Sequence, residues 1–187
     1  MTGQTAADTL EGKLSRVRLL ALDVDGVLTD GMLMYGPQGE ELKTFHVHDG
    51  LGISLARQSG LPSAIITGRN SEIITKRARE LRIEHVLMGV RDKGAALRKL
   101  AEELHLDLSE ICFVADDLND LPALHLAGVA IAVADAAPEV KVVADYITAR
   151  SGGCGAVREA VEVILRAQGR WEQAVSTFVA NLEADGQ

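Results

Sequence analysis

The sequence predicts an α/β fold, a three-layer Rossmann-like parallel sheet with helices on both faces and a β-hairpin inserted after the first strand. Three observations carry this. Short apolar runs of strand length alternate with longer segments of helical period. The first of these runs, "LLAL" before Asp23, has no polar alternation, as expected of a strand covered on both faces. One stretch breaks the alternation, with two strand-like arms around the turn signal "GPQG".

The strand candidates are "VRLLALDV" from Val17, "SAIIT" from Ser63, "EHVLM" from Glu84, "ICFVAD" from Ile111, "VAIAV" from Val129 and "DYIT" from Asp145. Between and after them, residues 51–58, 71–81, 92–104, 119–127, 138–143 and 156–168 carry helical spacing. A strand–helix–strand alternation of this kind builds a mostly parallel sheet sandwiched by helices. The hairpin occupies residues 32–47, or about 31–48 with its flanks, and the tail from Arg170 holds the only tryptophan and reads as a short amphipathic or irregular segment. The expected organisation is one domain over 1–187, with a core of about 17–168 and a tail of about 170–187.

Composition narrows the function. A chain of 187 residues can bury a sizeable core, and 47% hydrophobic with 25% charged residues argues against extended disorder. A net charge of −8 offers no basic stripe for nucleic acid, so a small anionic ligand needs a local positive pocket with a metal. The first residues lack a signal-peptide core, and no stretch approaches the roughly 18 apolar residues of a membrane span; a cytoplasmic protein without a membrane partner is expected. Cys112 and Cys154 have no CxxC spacing and read as reduced filler.

Ligands of open parallel sheets bind beyond the carboxyl ends of the strands. Asp23 and Asp25 follow the first run, Thr67-Gly68-Arg69 the second, and Asp116-Asp117 and then Asp120 the fourth; Lys93 opens the helix after the third. This set suits phosphoryl transfer through a covalent intermediate. Asp23 is the nucleophile, since a carboxylate can attack phosphorus to give a readily hydrolysed acyl phosphate. Massed carboxylates would repel an anionic substrate, so a divalent cation is required, and an all-oxygen shell points to Mg²⁺. Its expected ligands are Asp23, Asp116 and the Asp25 carbonyl, with Asp120 orienting metal-bound water. Asp25 serves as general acid and then base, Thr67 hydrogen-bonds a phosphoryl oxygen, and Lys93 neutralises charge.

Taken singly, each motif also has a structural explanation. A DxD can cap a turn, a threonine before glycine can close a strand, a lysine can be a solvated helix charge, and "DDLND" can cap a helix. The chemistry rests on all four falling at strand ends in the order one mechanism requires.

On these residues the chain resembles the haloacid dehalogenase-like phosphatases. Their four motifs look like "DVDGVLTDG" at Asp23, "ITGR" at Ile66, the lysine at Lys93 and "ADDLNDLP" at Ala115. With "FHVHDGLGI" and "GGCGAVRE", the resemblance narrows to phosphatases of 3-deoxy-D-manno-octulosonate 8-phosphate and runs from about Val17 to Gln168. It implies a Mg²⁺-dependent enzyme acting on a sugar-acid phosphate in lipopolysaccharide inner-core synthesis, without a cap domain and assembled as a homotetramer. The spacing agrees on the cap, since no insertion long enough to fold alone separates the hairpin from Thr67 or Thr67 from Lys93. The apolar residues Met32, Leu33, Met34, Tyr35 and Phe45 would be buried where hairpins pack around the tetramer axis, or by folding back onto their own domain.

The resemblance also places substrate contacts at Asp25, at His46, Val47, His48, Asp49 and Gly50, and at Arg69, Arg77, Lys93 and Asp117; two arginines suit a sugar carboxylate. Three positions depart from the family pattern: His48 replaces an arginine, Ser54 a frequent basic residue, and Ala115 a glycine. The first two weaken the anion pocket. Arg69 favours the eight-carbon substrate over a nine-carbon sialic-type acid 9-phosphate, whose phosphatases tend to carry glutamate there. A non-catalytic regulatory subunit of the same fold would be expected to have lost part of the Asp23, Asp25, Thr67, Lys93 and Asp116 set, which is intact.

His46 and His48, two apart on a possible strand, would point the same way as a potential metal pair, but no third nitrogen or sulfur ligand lies near in sequence. Gly152, Gly153 and Gly155 allow a tight turn before the last predicted helix. Trp171 and Phe178 in the tail either dock on their own domain or cross to a neighbour as a lid.

Overall fold

The protein, represented by a computed structural model, is described over residues 9–185. The elements run α1 (Leu10–Ser15), β1 (Leu19–Leu22), β2 (Met34–Gly36), β3 (Gly39–Leu42), α2 (Val47–Gln58), β4 (Ser63–Ile66), α3 (Glu72–Leu81), β5 (His85–Leu87), α4 (Lys93–Leu104), β6 (Ile111–Ala115), α5 (Leu121–Leu124), β7 (Val129–Ala132), α6 (Pro138–Val143), β8 (Tyr146–Ile147), α7 (Ala156–Ala167) and α8 (Trp171–Asp185). Six strands form one sheet in the order β5-β4-β1-β6-β7-β8, every pair parallel. Every residue of β1, β4, β6 and β7 is buried, which is why these segments read as unbroken apolar runs.

The chain leaves β1 towards β4 and β5, then crosses back to β6 on the other side of β1. Right-handed crossovers therefore put α2 and α3 on one face and α4, α5 and α6 on the other. The packing agrees, with α2 against α3 and α7 on one side and α4 against α5 on the other. The change of direction beside β1 opens a crevice at the carboxyl ends of β1, β4 and β6. Leu22 pairs with Ile65 on one side and Val114 on the other, so the residues after those positions emerge together.

A hairpin forms after β1 but is shorter than the 32–47 expected: β2 and β3 pair antiparallel in a separate two-stranded sheet, the turn at 37–38 entering β3 through Gly39 at φ +117°, and Val47 and His48 belong to α2. No cap domain is inserted among the described residues. Nor is any of their helices long and apolar enough to cross a membrane.

Four segments differ from the sequence reading. His46 is not on a strand: it caps α2, its Nδ1 accepting from the His48 amide at 3.3 Å, so the strand argument for a histidine pair has no footing. The tail is a 15-residue helix, α8. Its Trp171 ring makes cation–π contacts with the guanidinium groups of Arg158 (4.9 Å) and Arg166 (5.3 Å) and, like Phe178, packs on its own chain. The helix expected at 119–127 shrinks to a 3₁₀ turn at Leu118–Asp120 followed by α5, because Gly128 approaches the Ser109 backbone too closely for a side chain and leads at once into β7. An unanticipated helix, α1, starts where the Thr9 hydroxyl accepts from the Gly12 amide.

Candidate active site

The loop after β1 is wound tightly around one carbonyl. Val24 O accepts from the amides of Val27, Leu28 and Thr29, and the Thr29 hydroxyl accepts from the amides of Gly26 and Gly31. Gly26, at φ +89°, passes so close to Asp116 that any side chain there would overlap its carboxylate. Beneath lies the turn before α7: Gly153 donates to Val27 O at 3.0 Å, and Gly152 sits against Gly26 O where a Cβ would collide. The glycines of "SGGCG" thus let one backbone floor another.

This loop presents Asp23, which is 4% exposed, and Asp25. Thr67 leaves β4 fully buried, anchored by its amide to Leu87 O and by its carbonyl to the Val90 amide. Lys93 opens α4 behind the Asp92 cap, and its ammonium lies 2.8 Å from Asp23 Oδ1 and 2.5 Å from Asp120 Oδ1. The other Asp120 oxygen accepts from the amides of Asp116 and Asp117, both at 3.3 Å. Asp23, Asp25, Thr67, Gly68, Arg69, Asp116, Asp117 and Asn119 line one cleft of about 250 Å³.

One lysine serves too many acids. Burial and then the Asp120 carboxylate push Asp23 up to about 6, with Lys93 pulling the other way. Burial, followed by Asp23, Asp120 and Asp117, pushes Asp116 up to about 8. Burial works against the charge on Lys93, but Asp23 and Asp120 outweigh it and hold its pKa above the ordinary value.

The surplus negative charge fits a divalent cation. Asp23, Asp116 and Asp120 each bring an oxygen within 4.8 Å of the others. Asp120 is spoken for by Lys93 and two amides, whereas Asp116 Oδ1 is buried with no hydrogen-bond partner. Asp23 and Asp116 therefore suit direct ligation and Asp120 an orienting role; hard oxygen donors suit Mg²⁺.

Of the other expected contacts, Arg69 and Asp117 reach the cleft, Asp117 also capping the 3₁₀ turn through Leu118 N at 2.8 Å. The residues at 46–50 and Arg77 do not line it within one chain. Asp49 is buried and accepts from the Gly155 and Arg158 amides, fixing the start of α7. Gly50 packs against Arg77, whose guanidinium stacks over Phe45 at 5.4 Å. His48 instead faces a groove with Leu51, Arg150, Arg158, Glu159 and Glu162. Val47 is exposed. Lys43, from the hairpin, escaped the sequence reading: its ammonium pairs with Asp25 Oδ1. A lysine on a hairpin arm reads as solvated, and only its place in the fold reveals it. Gly68 and Asn119 were also unassigned, though both adjoin assigned residues.

Acids at the tips of neighbouring parallel strands, a strand-end threonine and a buried lysine bridging two of the acids together define a phosphohydrolase site of the haloacid dehalogenase type. A model of the haloacid dehalogenase-like hydrolase family matches residues 73–160. The 3-deoxy-D-manno-octulosonate 8-phosphate phosphatase KdsC of Escherichia coli strain K12 is 44% identical over 172 residues, 92% of this chain and 91% of that protein. That of Yersinia pestis is 42% identical over 95% of this chain and 94% of its own length. A crystal structure of the Moraxella catarrhalis phosphatase of that name, in complex with magnesium, phosphate and KDO, superposes with a TM-score of 0.87 at 44% identity, covering 90% of this chain and 97% of that one. The chain belongs to the 3-deoxy-D-manno-octulosonate 8-phosphate phosphatase family of haloacid dehalogenase-like hydrolases.

Proposed function

We propose that this protein hydrolyses 3-deoxy-D-manno-octulosonate 8-phosphate to the free sugar acid and inorganic phosphate, in lipopolysaccharide inner-core biosynthesis. The observation that carries this is the strand-tip cluster, intact in every acid, threonine and lysine the reaction needs, in a chain 44% identical to relatives of that activity.

Asp23 attacks phosphorus, forming a carboxylate–phosphorus bond as the bond to the sugar oxygen breaks. Asp25, two residues on, gives its proton to the departing oxygen. It then takes one from the water that attacks the aspartyl phosphate, releasing phosphate and restoring Asp23. Thr67 hydrogen-bonds a phosphoryl oxygen, and Lys93 holds Asp23 in place while offsetting charge. Asp23, Asp116 and the Asp25 carbonyl would hold Mg²⁺, which supplies charge neutralisation for the phosphoryl group. Arg69 and Asp117 border the space that the sugar enters, and Arg77 with residues 46–50 belong to the wall that a neighbouring subunit completes.

That assembly is a homotetramer in this reading, and the support is the hairpin: Met32 is 73% exposed and Met34, Tyr35 and Leu42 more than half, far more apolar surface than a free ribbon keeps in water. A soluble sugar phosphate substrate suits a cytoplasmic location.

The test is phosphate release with Mg²⁺ from the eight-carbon acid 8-phosphate and a nine-carbon sialic-type acid 9-phosphate, alongside the mass of the assembly by light scattering. Preference for the eight-carbon substrate and a four-chain mass are expected. Preference for the nine-carbon ester would overturn the substrate, and equal turnover by Asp23→Asn the mechanism.

A further inference from the structure

Lys43 lies on none of the strand tips. It follows β3 on the returning arm of the hairpin, yet its side chain is fully shielded and its ammonium is ion-paired to Asp25 Oδ1. The other oxygen of Asp25, Oδ2, is buried without a hydrogen-bond partner, and Arg69 Nε lies 3.8 Å from it. The two oxygens are therefore unlike: one is tied, the other is left to react. A group that must give a proton at one point and recover it at the same point works best from a single rotamer with a single working oxygen.

We infer that Lys43 is a positioning residue for the reaction, holding Asp25 through Oδ1 so that Oδ2 exchanges the proton. This rests on the role of Asp25 as acid and base proposed above. As the Asp23 oxygen–phosphorus bond forms and the phosphorus–sugar oxygen bond breaks, the proton on Oδ2 passes to the sugar oxygen. When water attacks, its proton returns to Oδ2 as the Asp23–phosphorus bond breaks. What Lys43 contributes in both steps is aim: the ion pair at Oδ1 keeps the Asp25 carboxylate in one rotamer.

A second contact from the same ribbon points the same way. Tyr35, on β2, accepts a hydrogen bond from Arg69 Nη2, with its ring 5.9 Å from the guanidinium. The hairpin thus reaches the cleft from both arms, once to the proton-transfer group and once to the cation beside it.

The decisive measurement compares kcat/KM on two esters, the sugar phosphate, whose alkoxide needs a proton to leave, and p-nitrophenyl phosphate, whose phenolate does not. Lys43→Met is expected to lose about 10- to 100-fold on the sugar ester and less than about 3-fold on the aryl ester. Lys43→Arg should recover most of the loss, and Lys43→Met should add nothing in an Asp25→Asn background. Equal losses on both esters, or a further loss in that background, would overturn the assignment. If Lys43→Met lacks a cooperative thermal melt, Lys43→Gln and Lys43→Arg carry the same comparison. A wild-type protein that releases no phosphate from either ester overturns the functional reading itself; an active one indifferent to Lys43 overturns only this inference.

Discussion

The strand tips and the hairpin solve opposite problems. At the tips, charged groups are packed where water is scarce, and the sheet supplies rigidity: Asp23 continues the ladder by donating its amide to Val114 O, and Lys93 is 1% exposed between two acids. In the hairpin, apolar side chains stand in water and the backbone is held by only two short strands. The first region holds polar groups at an energetic cost that the surrounding core sustains; the second leaves apolar surface uncovered, the surface that the proposed tetramer would cover. Charge in a core and grease on a ribbon are both local violations, and both mark where the molecule acts on something else.

The sharpest way to break the contrast is at Asp23. Asp23→Asn should reduce Mg²⁺-dependent turnover by at least about 10³-fold, while the melting temperature stays level or rises, because a buried acid held above its ordinary pKa is removed. A lowered melting temperature would mean that the acid stabilises the fold. Next in size is Lys93→Met, which leaves Asp23 and Asp120 buried without their shared cation. Denaturant titration should show a loss of about 3–5 kcal/mol.

A smaller effect comes from pH. Asp116 and Asp23 titrate near 8 and 6 in the folded chain, against an ordinary 3.8, so folding favours their protonated forms. The stability they contribute is complete below the ordinary value and is lost as pH rises through about 6 and then 8. Without divalent cations the melting temperature should fall over that range, and Mg²⁺ should raise it more above pH 8 than near pH 6, since only the ionised carboxylates bind it. A Mg²⁺ effect independent of pH would remove these acids from the metal site. The smallest effect on the chain itself is expected at the hairpin: Met34→Ser should change its unfolding free energy by less than about 0.5 kcal/mol yet lower its self-association in light scattering.

The same contrast explains what was legible in the sequence. Buried parallel strands are written as apolar runs, and a run that stops at a polar residue shows where the sheet ends, so the sequence alone places Asp23, Thr67 and Asp116 on one edge. The helix start at Val47 was hidden because histidine is not among the usual capping residues. The helix α8 was written plainly enough, with Trp171, Ala174, Phe178 and Leu182 at helical spacing, but small and polar residues between them blurred the pattern. Lys43 was illegible for a different reason. Its role depends on where the ribbon folds in three dimensions, and nothing in "GEELKTF" separates a lysine that enters a cleft from one that faces water.

The turn at Gly152 and Gly153 sets an order of events during synthesis. Asp23 is made long before the floor beneath its loop, which waits for Gly152 and Gly153. A ribosome-bound chain can pair its early strands and still lack the backbone against which Val27 and Gly26 come to rest. The cluster is therefore encoded before the turn that steadies it, so a chain cut short ahead of Gly152 keeps every acid and lacks the floor on which the loop after β1 rests.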